Sequence, residues 1–500
     1  MQLNQMLENI DLIDQTNPQD ISIEGLAYHS KKVSDGFLFV CIKGYETDGH
    51  KYLAMAKDNG AVAAIVEEFQ DHIDIPQYKV ANSRSALAQL SGIFYRHPSQ
   101  QLKMIGISAT NGKTTTTFMT NNILEKHNLK TGLLGTVDVK IGDHTIPAKL
   151  TTPESLELQQ FLQTMVEEEV SHTTMEVSSA AMEMNRVETV DYDIVTMNNI
   201  SSEHIDTHGS FERYFEVKSK LITEAKKDAF AILNLDCPYS RSLIDKTKSN
   251  VITYGIEDQS GHLTCENLDL STGRAKFTLQ VKKPIGTNFG TIEPQQFDVE
   301  LSVSGLHSVY NSFVAITIAL LENIPVKTIQ EGIYTFEGVE RRFQVIYEDE
   351  FMIIDDHFAN RGNINVTLNT LTSMDYNNLN LVYAIRGNRG VDVNRENAET
   401  IVEWAEQLNL DTIIATKSIS NVTHYDEVSK DEERVFLEIM EKANIKVYLY
   451  DELEDAIKKS LNHVHESDLI LFAGCQGMDD AAEIVQRHLK QPIKQITPTI

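Results

Sequence analysis

The sequence predicts an α/β protein of three domains, and three observations carry that prediction. Its 500 residues are more than one hydrophobic core supports. Short apolar runs alternate with segments of helical spacing along most of the chain. Near residues 277–301 the pattern changes to strict alternation, and near 336–342 a polar linker precedes a renewed strand–helix series. The expected divisions are residues 1–98, 99–335 and 336–500.

Composition narrows the function. Apolar content of 41% and charged content of 23% are those of an ordinary soluble protein, and the formal charge is −29. That charge argues against nucleic-acid partners and against a membrane surface, both of which want basic patches. Cys41, Cys237, Cys265 and Cys475 lie far apart, without metal-ligand or pairing spacing, and read as reduced thiols. The N-terminus lacks a basic region followed by an apolar core, and no run is long enough to span a bilayer. A cytoplasmic enzyme without membrane insertion is expected.

In the first domain, 36–42 and 61–66 are buried strands and 52–59 has helical spacing. Ser30-Lys31-Lys32 and 43–50 are polar loops beside them. The second domain opens on 102–108, an apolar strand, followed by Ala109-Thr110-Asn111-Gly112-Lys113-Thr114-Thr115 and a long helix to 126. Strand, small-residue turn and helix make a phosphate cradle: loop N–H groups and the helix N-terminus hold phosphate oxygens, Lys113 adds a charge, and the Thr114 hydroxyl can ligate Mg²⁺. The strict motif would need Gly at 107, where Ile stands. The reading is an ATP site.

Further on, Thr151-Thr152-Pro153-Glu154 opens a helix with Pro in its first turn. Glu176 ends a strand, which is where ligands sit in open α/β sheets. Strand 193–200 leads to an acid-and-imidazole loop, 201–209, that suits either metal handling or a plain polar surface. A helix over 211–224 carries Lys218, and 229–233 is another strand. The alternation at 277–281 and 297–301 predicts an antiparallel hairpin, and 305–311 leads into an apolar helix ending at 321. In the third domain, strands at 351–356, 379–385, 412–415 and 469–473 alternate with helices, one of them at 397–408. Segments 386–390 and 474–479 both follow strands, at the sheet edge where a second substrate would approach.

Together these motifs resemble the Mur ligase family, which joins an amino acid or peptide to a carboxylate using ATP. Segment 107–115 resembles its ATP loop, Glu176-Val177-Ser178-Ser179 its metal-binding glutamate, and 198–206, with His204, its Asn-Leu-x-x-Asp-His-Leu-Asp signature. Lys218 stands where the family carries a carbamylated lysine. Asn311 and Arg342 match its nucleotide-side asparagine and arginine. The MurE-type branch fits best. The resemblance implies a small UDP-binding domain, a P-loop-type ATPase domain and a doubly wound Rossmann-like domain.

It also implies roles. ATP would meet Thr110, Asn111, Gly112, Lys113, Thr114, Thr115, Asn311, Arg342 and Asp356. Mg²⁺ would meet Thr114, Glu176, His204 and Lys218, and catalysis would rest on Lys113, Glu176, His204 and Lys218. A UDP-N-acetylmuramoyl peptide would meet Ser30, Thr151, Thr152, Ser178 and Arg186, and a free amino acid Arg389. The implied reaction is phosphorylation of the peptide carboxylate and attack by the amino acid's amine, by a monomer. The alternatives are a related ligase for another carboxylate and a non-catalytic nucleotide-binding relative.

This chain departs from the family pattern mainly in its last third. Ala109 replaces a loop glycine, Glu203 an aspartate and Ala180 a histidine. Asp356-His357-Phe358-Ala359-Asn360-Arg361 stands for Asp-Tyr-Ala-His-x-Pro, and Gly387-Asn388-Arg389 for Gly-Asp-Arg. The Asp-Asn-Pro-Arg motif that selects diaminopimelate is missing from 416–422, and Cys475-Gln476-Gly477-Met478 replaces Lys-Gly-His-Glu. The donor half reads as conventional and the acceptor half does not.

Overall fold

The computed structural model describes residues 1–44, 47–201, 209–271 and 274–489. Two compact units form, one from 1–109 with 127–252 and one from 110–126 with 253–500.

The first unit holds two groups of strands. β1 (Leu12–Thr16), β2 (Gly25–Ala27), β3 (Phe37–Val40), β4 (Ala61–Val66) and β5 (Gln77–Val80) make a sheet in the order β1-β5-β4-β3-β2, parallel except for β1. β4, Ala-Val-Ala-Ala-Ile-Val, is buried along nearly its whole length, as an interior parallel strand must be. Asn82 caps the following helix Ser83–Phe94, accepting from the amides of Arg84 and Ser85.

The second group is β6 (Lys103–Ser108), β7 (Thr131–Leu134), β8 (Asp138–Ile141), β9 (His144–Pro147), β10 (His172–Glu176), β11 (Ile194–Met197) and β12 (Phe230–Asn234). Their order is β12-β11-β6-β10-β7-β8-β9, parallel as far as β7, with β8 and β9 returning antiparallel. Register puts Glu176 and Thr196 level with Ile107, and Met197 level with Ser108. The C-terminal ends of three neighbouring strands therefore fall at one sheet edge, where a doubly wound sheet binds its ligands.

β13 (Asn250–Tyr254) leads into the second unit. There β14 (Leu263–Asp269), β15 (Arg274–Val281) and β18 (Gln295–Ser304) are antiparallel, with Phe277 opposite Val299 and Leu279 opposite Phe297. The predicted alternation is thus real, but the turn between its two halves carries its own small hairpin, β16 (Ile285–Thr287) with β17 (Gly290–Ile292). The helix Leu306–Leu321 buries 13 of its 16 residues, which makes it a core helix rather than a surface one. Its Phe313 stacks between Tyr254 and Phe277, at centroid distances of 5.7 and 5.8 Å.

The last sheet comprises β19 (Gln344–Glu348), β20 (Met352–Asp356), β21 (Leu379–Ala384), β22 (Thr412–Thr416), β23 (Lys446–Tyr450) and β24 (Leu469–Ala473), in the order β19-β20-β24-β21-β22-β23. All are parallel except β19. β19, β23 and the helix Lys430–Lys442 carry weaker sequence signals and complete the doubly wound layer.

Two expected helix starts shift. The helix after Thr152 is Ser155–Glu167, with Glu154 as N-cap in an extended conformation, so Pro153 lies outside it. The side chain of Thr152 bonds the Glu176 carbonyl and its own carbonyl accepts from Arg186, which holds this stretch extended. The helix expected at 397 begins at Val391, because Gly390 takes φ +87° and starts it early. Among the described residues no helix is long and apolar enough to cross a membrane, and all four cysteines are buried.

Candidate active site

In the first unit the site grows from Glu176. The carboxylate is fully buried at the end of β10. Its Oε1 accepts from the Thr136 amide at 2.7 Å, and its Oε2 accepts from the Thr136 hydroxyl at 3.1 Å. A Cβ on Gly135 would stand 2.7 Å from Oε1, so only glycine lets the chain pass this close. The Thr136 hydroxyl oxygen also lies 3.1 Å from the Thr151 hydroxyl, whose proton it can accept. The Thr152 hydroxyl donates to the Glu176 carbonyl at 2.8 Å and accepts from the Ser178 amide at 3.1 Å, while the Ser178 hydroxyl caps the helix Ser179–Glu183. Arg186 is buried, donates to the Thr152 carbonyl at 3.1 Å and pairs with Glu154 at 2.7 Å; Arg84 approaches the same carboxylate at 3.5 Å. Thr151, Thr152, Ser178 and Arg186 thus form one connected group around Glu176.

Ser30 stands apart from that group. Its hydroxyl meets the Met55 sulfur at 3.3 Å, at the start of the 3₁₀ turn Ser30–Lys32, and among the described residues it makes no bond to the other four. Nearby, Tyr28 donates to both oxygens of Glu157 at 3.0 and 2.9 Å, and Lys32 pairs with Glu157 at 3.1 Å. Burial, with Glu157 and Glu154 beside it, pushes the Tyr28 hydroxyl far up.

Lys218 lies on the helix Phe211–Thr223 and is 2% exposed. Its Nζ donates to the Ala109 carbonyl at 2.7 Å and sits 5.3 Å from the Tyr214 ring centroid. It therefore reaches the residue immediately before Thr110. His204, with Glu203, lies outside the described residues.

In the second unit the phosphate loop is built around Gly112, at φ +89°. A Cβ there would stand 2.5 Å from Asn311 Oδ1. The Thr116 hydroxyl donates to the Gly112 carbonyl at 2.8 Å and lies 3.1 Å from Asn311 Oδ1. Lys113 Nζ donates to the Thr110 carbonyl at 3.1 Å. Thr114 and Thr115 lie in the first turn of the helix Lys113–Lys126, whose leading amides face the loop. Asn111 Oδ1 accepts from Asn363 at 2.7 Å, which ties the loop to the start of the helix Arg361–Leu371. Asn311 is 3% exposed, and among the described residues its Nδ2 has no partner.

The linker expected to offer Arg342 also contains Arg341. Arg341 takes φ +56° and Phe343 φ +53°, a rare pair of left-handed non-glycine residues. Arg341 is buried; it pairs with Asp479, approaches Asp355 at 3.4 Å and donates to the carbonyls of Cys475 at 3.0 Å and Gly474 at 2.5 Å. Arg342 remains half-exposed. Asp356 accepts from the Phe343 amide at 2.8 Å and from the Thr367 hydroxyl. Burial raises both carboxyls of this pair, pushing Asp355 up to about 7. Arg389 pairs with Asp426 at 3.1 Å, and Glu432 accepts from the amides of Asn388, Arg389 and Gly390. Thr136, Glu154, Arg341 and Glu432 were not legible as site residues, because each acts on a segment remote in sequence.

Residues 22–105 match the description "Mur ligase family, catalytic domain", residues 107–319 "Mur ligase middle domain" and residues 341–476 "Mur ligase, glutamate ligase domain". The chain is 32% identical over 476 residues to the UDP-N-acetylmuramoyl-L-alanyl-D-glutamate–2,6-diaminopimelate ligase of Caldanaerobacter subterraneus subsp. tengcongensis, covering 95% of this chain and 94% of that protein. It is 34% identical to the Clostridium botulinum ligase of the same name, covering 96% and 95%.

The chain belongs to the Mur ligase family.

Solved Mur ligases share its fold. MurF from Acinetobacter baumannii superposes with a TM-score of 0.67 at 20% identity, over 98% of both chains. MurF from Thermotoga maritima in complex with ADP gives 0.62 at 20% identity, over 95% and 99%.

The residues of this Mur ligase suit the ligands that the resemblance implies. Asn311 Nδ2, without a partner among the described residues, the helix N-terminus after Gly112 and the Lys113 ammonium suit a polyphosphate. The Thr114 hydroxyl and the Glu176 carboxylate are the hard oxygen donors that Mg²⁺ takes.

Proposed function

We propose that this Mur ligase joins an amino acid to the terminal carboxylate of a UDP-N-acetylmuramoyl dipeptide, with ATP and Mg²⁺, in peptidoglycan precursor synthesis. The observation that carries the reading is Glu176. It is a buried carboxylate held by neutral donors at the level of Ile107, one strand from the strand that enters the phosphate loop. End-to-end likeness to ligases of UDP-N-acetylmuramoyl-L-alanyl-D-glutamate supports the substrate class.

ATP supplies the phosphoryl group, and Mg²⁺ offsets the charge that develops as it moves. The chain's own residues do the rest. Loop amides after Gly112 and the Lys113 ammonium hold the phosphate oxygens, and Asn311, Arg342 and Asp356 frame the nucleotide side. Glu176 and Thr114, together with His204 and Lys218, would hold the cation. Thr151, Thr152, Ser178 and Ser30 position the muramoyl peptide. Arg186 holds the 151–154 segment in place through Glu154 and the Thr152 carbonyl. The phosphorylated carboxylate is then open to the amine held at the edge of the last sheet, where Arg389 lies, and inorganic phosphate leaves. Lys218 acts as a carbamate, and the enzyme works as a cytoplasmic monomer.

The relatives are named for diaminopimelate, but this chain lacks Asp-Asn-Pro-Arg after β22 and has Lys417-Ser418-Ile419-Ser420 there. Its acceptor is a different amino acid. Phosphate release with ATP, Mg²⁺ and UDP-N-acetylmuramoyl-Ala-Glu, measured across an amino-acid panel, tests the reading. One responsive amino acid other than diaminopimelate is expected, and silence across the panel overturns it. Lys218→Ala should turn over slowly and recover in part with short carboxylates; full activity without them removes the carbamate.

A further inference from the structure

Four arginines gather at the C-terminal ends of β20, β21 and β24 or on the linker that meets them, and they differ in what neutralises them. Arg341 has Asp355 and Asp479, and Arg389 has Asp426. Arg342 belongs to the nucleotide side in the reading above. Arg386 has no carboxylate within ion-pair distance among the described residues.

Arg386 stands two residues beyond β21, the strand between β24 and β22. Its backbone is pinned on both sides by Asn394, which accepts from its amide at 3.3 Å and donates to its carbonyl at 2.8 Å. Its Nη1 donates to the Ala359 carbonyl in the loop after β20. Its Nε is shielded from solvent and, among the described residues, has no partner. Two of the side chains near it carry no negative charge: the Cys475 thiol, bonded to the Phe358 carbonyl at 3.3 Å, and His357. Burial, with Arg342, Arg341 and Arg386 close by, pushes His357 down to about 3, so the imidazole stays neutral in this cationic field. Burial likewise raises the Cys475 thiol, against the pull of all four arginines.

A half-buried guanidinium with no acid beside it among the described residues, and with an orphaned Nε–H, has lost hydration without gaining a counter-ion. The edge made by Nε and Nη2 is the side of the fork that a carboxylate engages with two parallel bonds. It needs only a turn of the outer side-chain torsions to present itself. Arg389, already paired with Asp426, offers less.

We propose that Arg386 anchors a carboxylate of the incoming amino acid and so sets the chemical class of the acceptor; this rests on the ligase reading above. The carboxylate is either the α-carboxylate or one on the acceptor's side chain. Both present the same planar anion to the guanidinium.

The test is steady-state phosphate release by the full chain with ATP, Mg²⁺, the muramoyl dipeptide and the responsive amino acid, compared with its α-amide and, where it has one, its side-chain amide. The wild type should show a KM about 10- to 100-fold lower for the free acid, the range of one charge-assisted pair. Whichever amide is rejected identifies the carboxylate that is held. Arg386→Ala should erase that preference, raise the KM for the amino acid and leave the KM for ATP unchanged. Should that variant fail to fold, Arg386→Gln, which keeps a donor for the Ala359 carbonyl, decides in its place. A variant that folds and keeps the wild-type preference for the free acid overturns the proposal while the ligase reading stands. A wild type silent with every amino acid overturns both.

Discussion

At the edge of the β6, β10 and β11 strands, a buried carboxylate is satisfied by an amide and a hydroxyl of one threonine. At the edge of β20 and β24, Asp355 and Asp479 face the guanidinium of Arg341. Both arrangements meet the rule that a buried charge needs partners, but they leave different residues behind. Glu176 accepts from an amide and a hydroxyl, whereas Asp355 and Asp479 share one guanidinium. In the ligase reading proposed above, Glu176 takes part in holding a cation, while Arg341 fastens the linker to the last sheet.

Breaking each side should reveal that difference. The largest effect falls on Lys113→Ala, which removes the phosphate loop's cation. ATP turnover should drop by about 10³-fold or more, as expected when a preorganised charge is lost, and phosphate release near wild-type rates would refute the ATP site.

Arg341→Ala comes next. It leaves the buried Asp355 without its guanidinium and should cost about 3–5 kcal/mol of stability in denaturant unfolding. An equally stable variant would mean that the fastening is idle. The same group carries a pH signature. Asp355 binds its proton more tightly in the folded chain than an ordinary carboxylate does, so its contribution is present in acid and fades as pH rises towards and through about 7. Asp355→Asn should therefore flatten the fall in stability between about pH 4 and 7, read from thermal unfolding across that range.

Thr136→Val is the mildest. It deletes one hydroxyl from the Glu176 clamp and should weaken Mg²⁺ dependence by about tenfold, close to one charged hydrogen bond, with the fold intact by circular dichroism. No change in the Mg²⁺ titration would separate Glu176 from the metal.

What the sequence disclosed followed from local physics. The apolar run 103–108, the glycine-bearing turn and the helix behind it are neighbours in the chain, so periodicity and turn chemistry reveal them together. Glu176 and Lys218 were found through motif order, and the structure buries both. What stayed hidden depends on distant segments. Pro153 reads as a helix starter until Arg186 and Thr152 are seen to hold its neighbourhood extended. Arg341 and Arg342 look interchangeable in sequence, and only the left-handed turn at Arg341 decides which is buried. The start of the helix Val391–Ala405 depended on the positive φ of Gly390, which composition alone does not announce.

The fastening at Arg341 also has a mechanical meaning. Its guanidinium is tied to the carbonyls of Gly474 and Cys475 and to carboxylates on β20 and beyond β24, so the linker is riveted to the sheet it is about to enter. Arg342, between the two left-handed residues Arg341 and Phe343, is thereby held to the edge of that sheet as well.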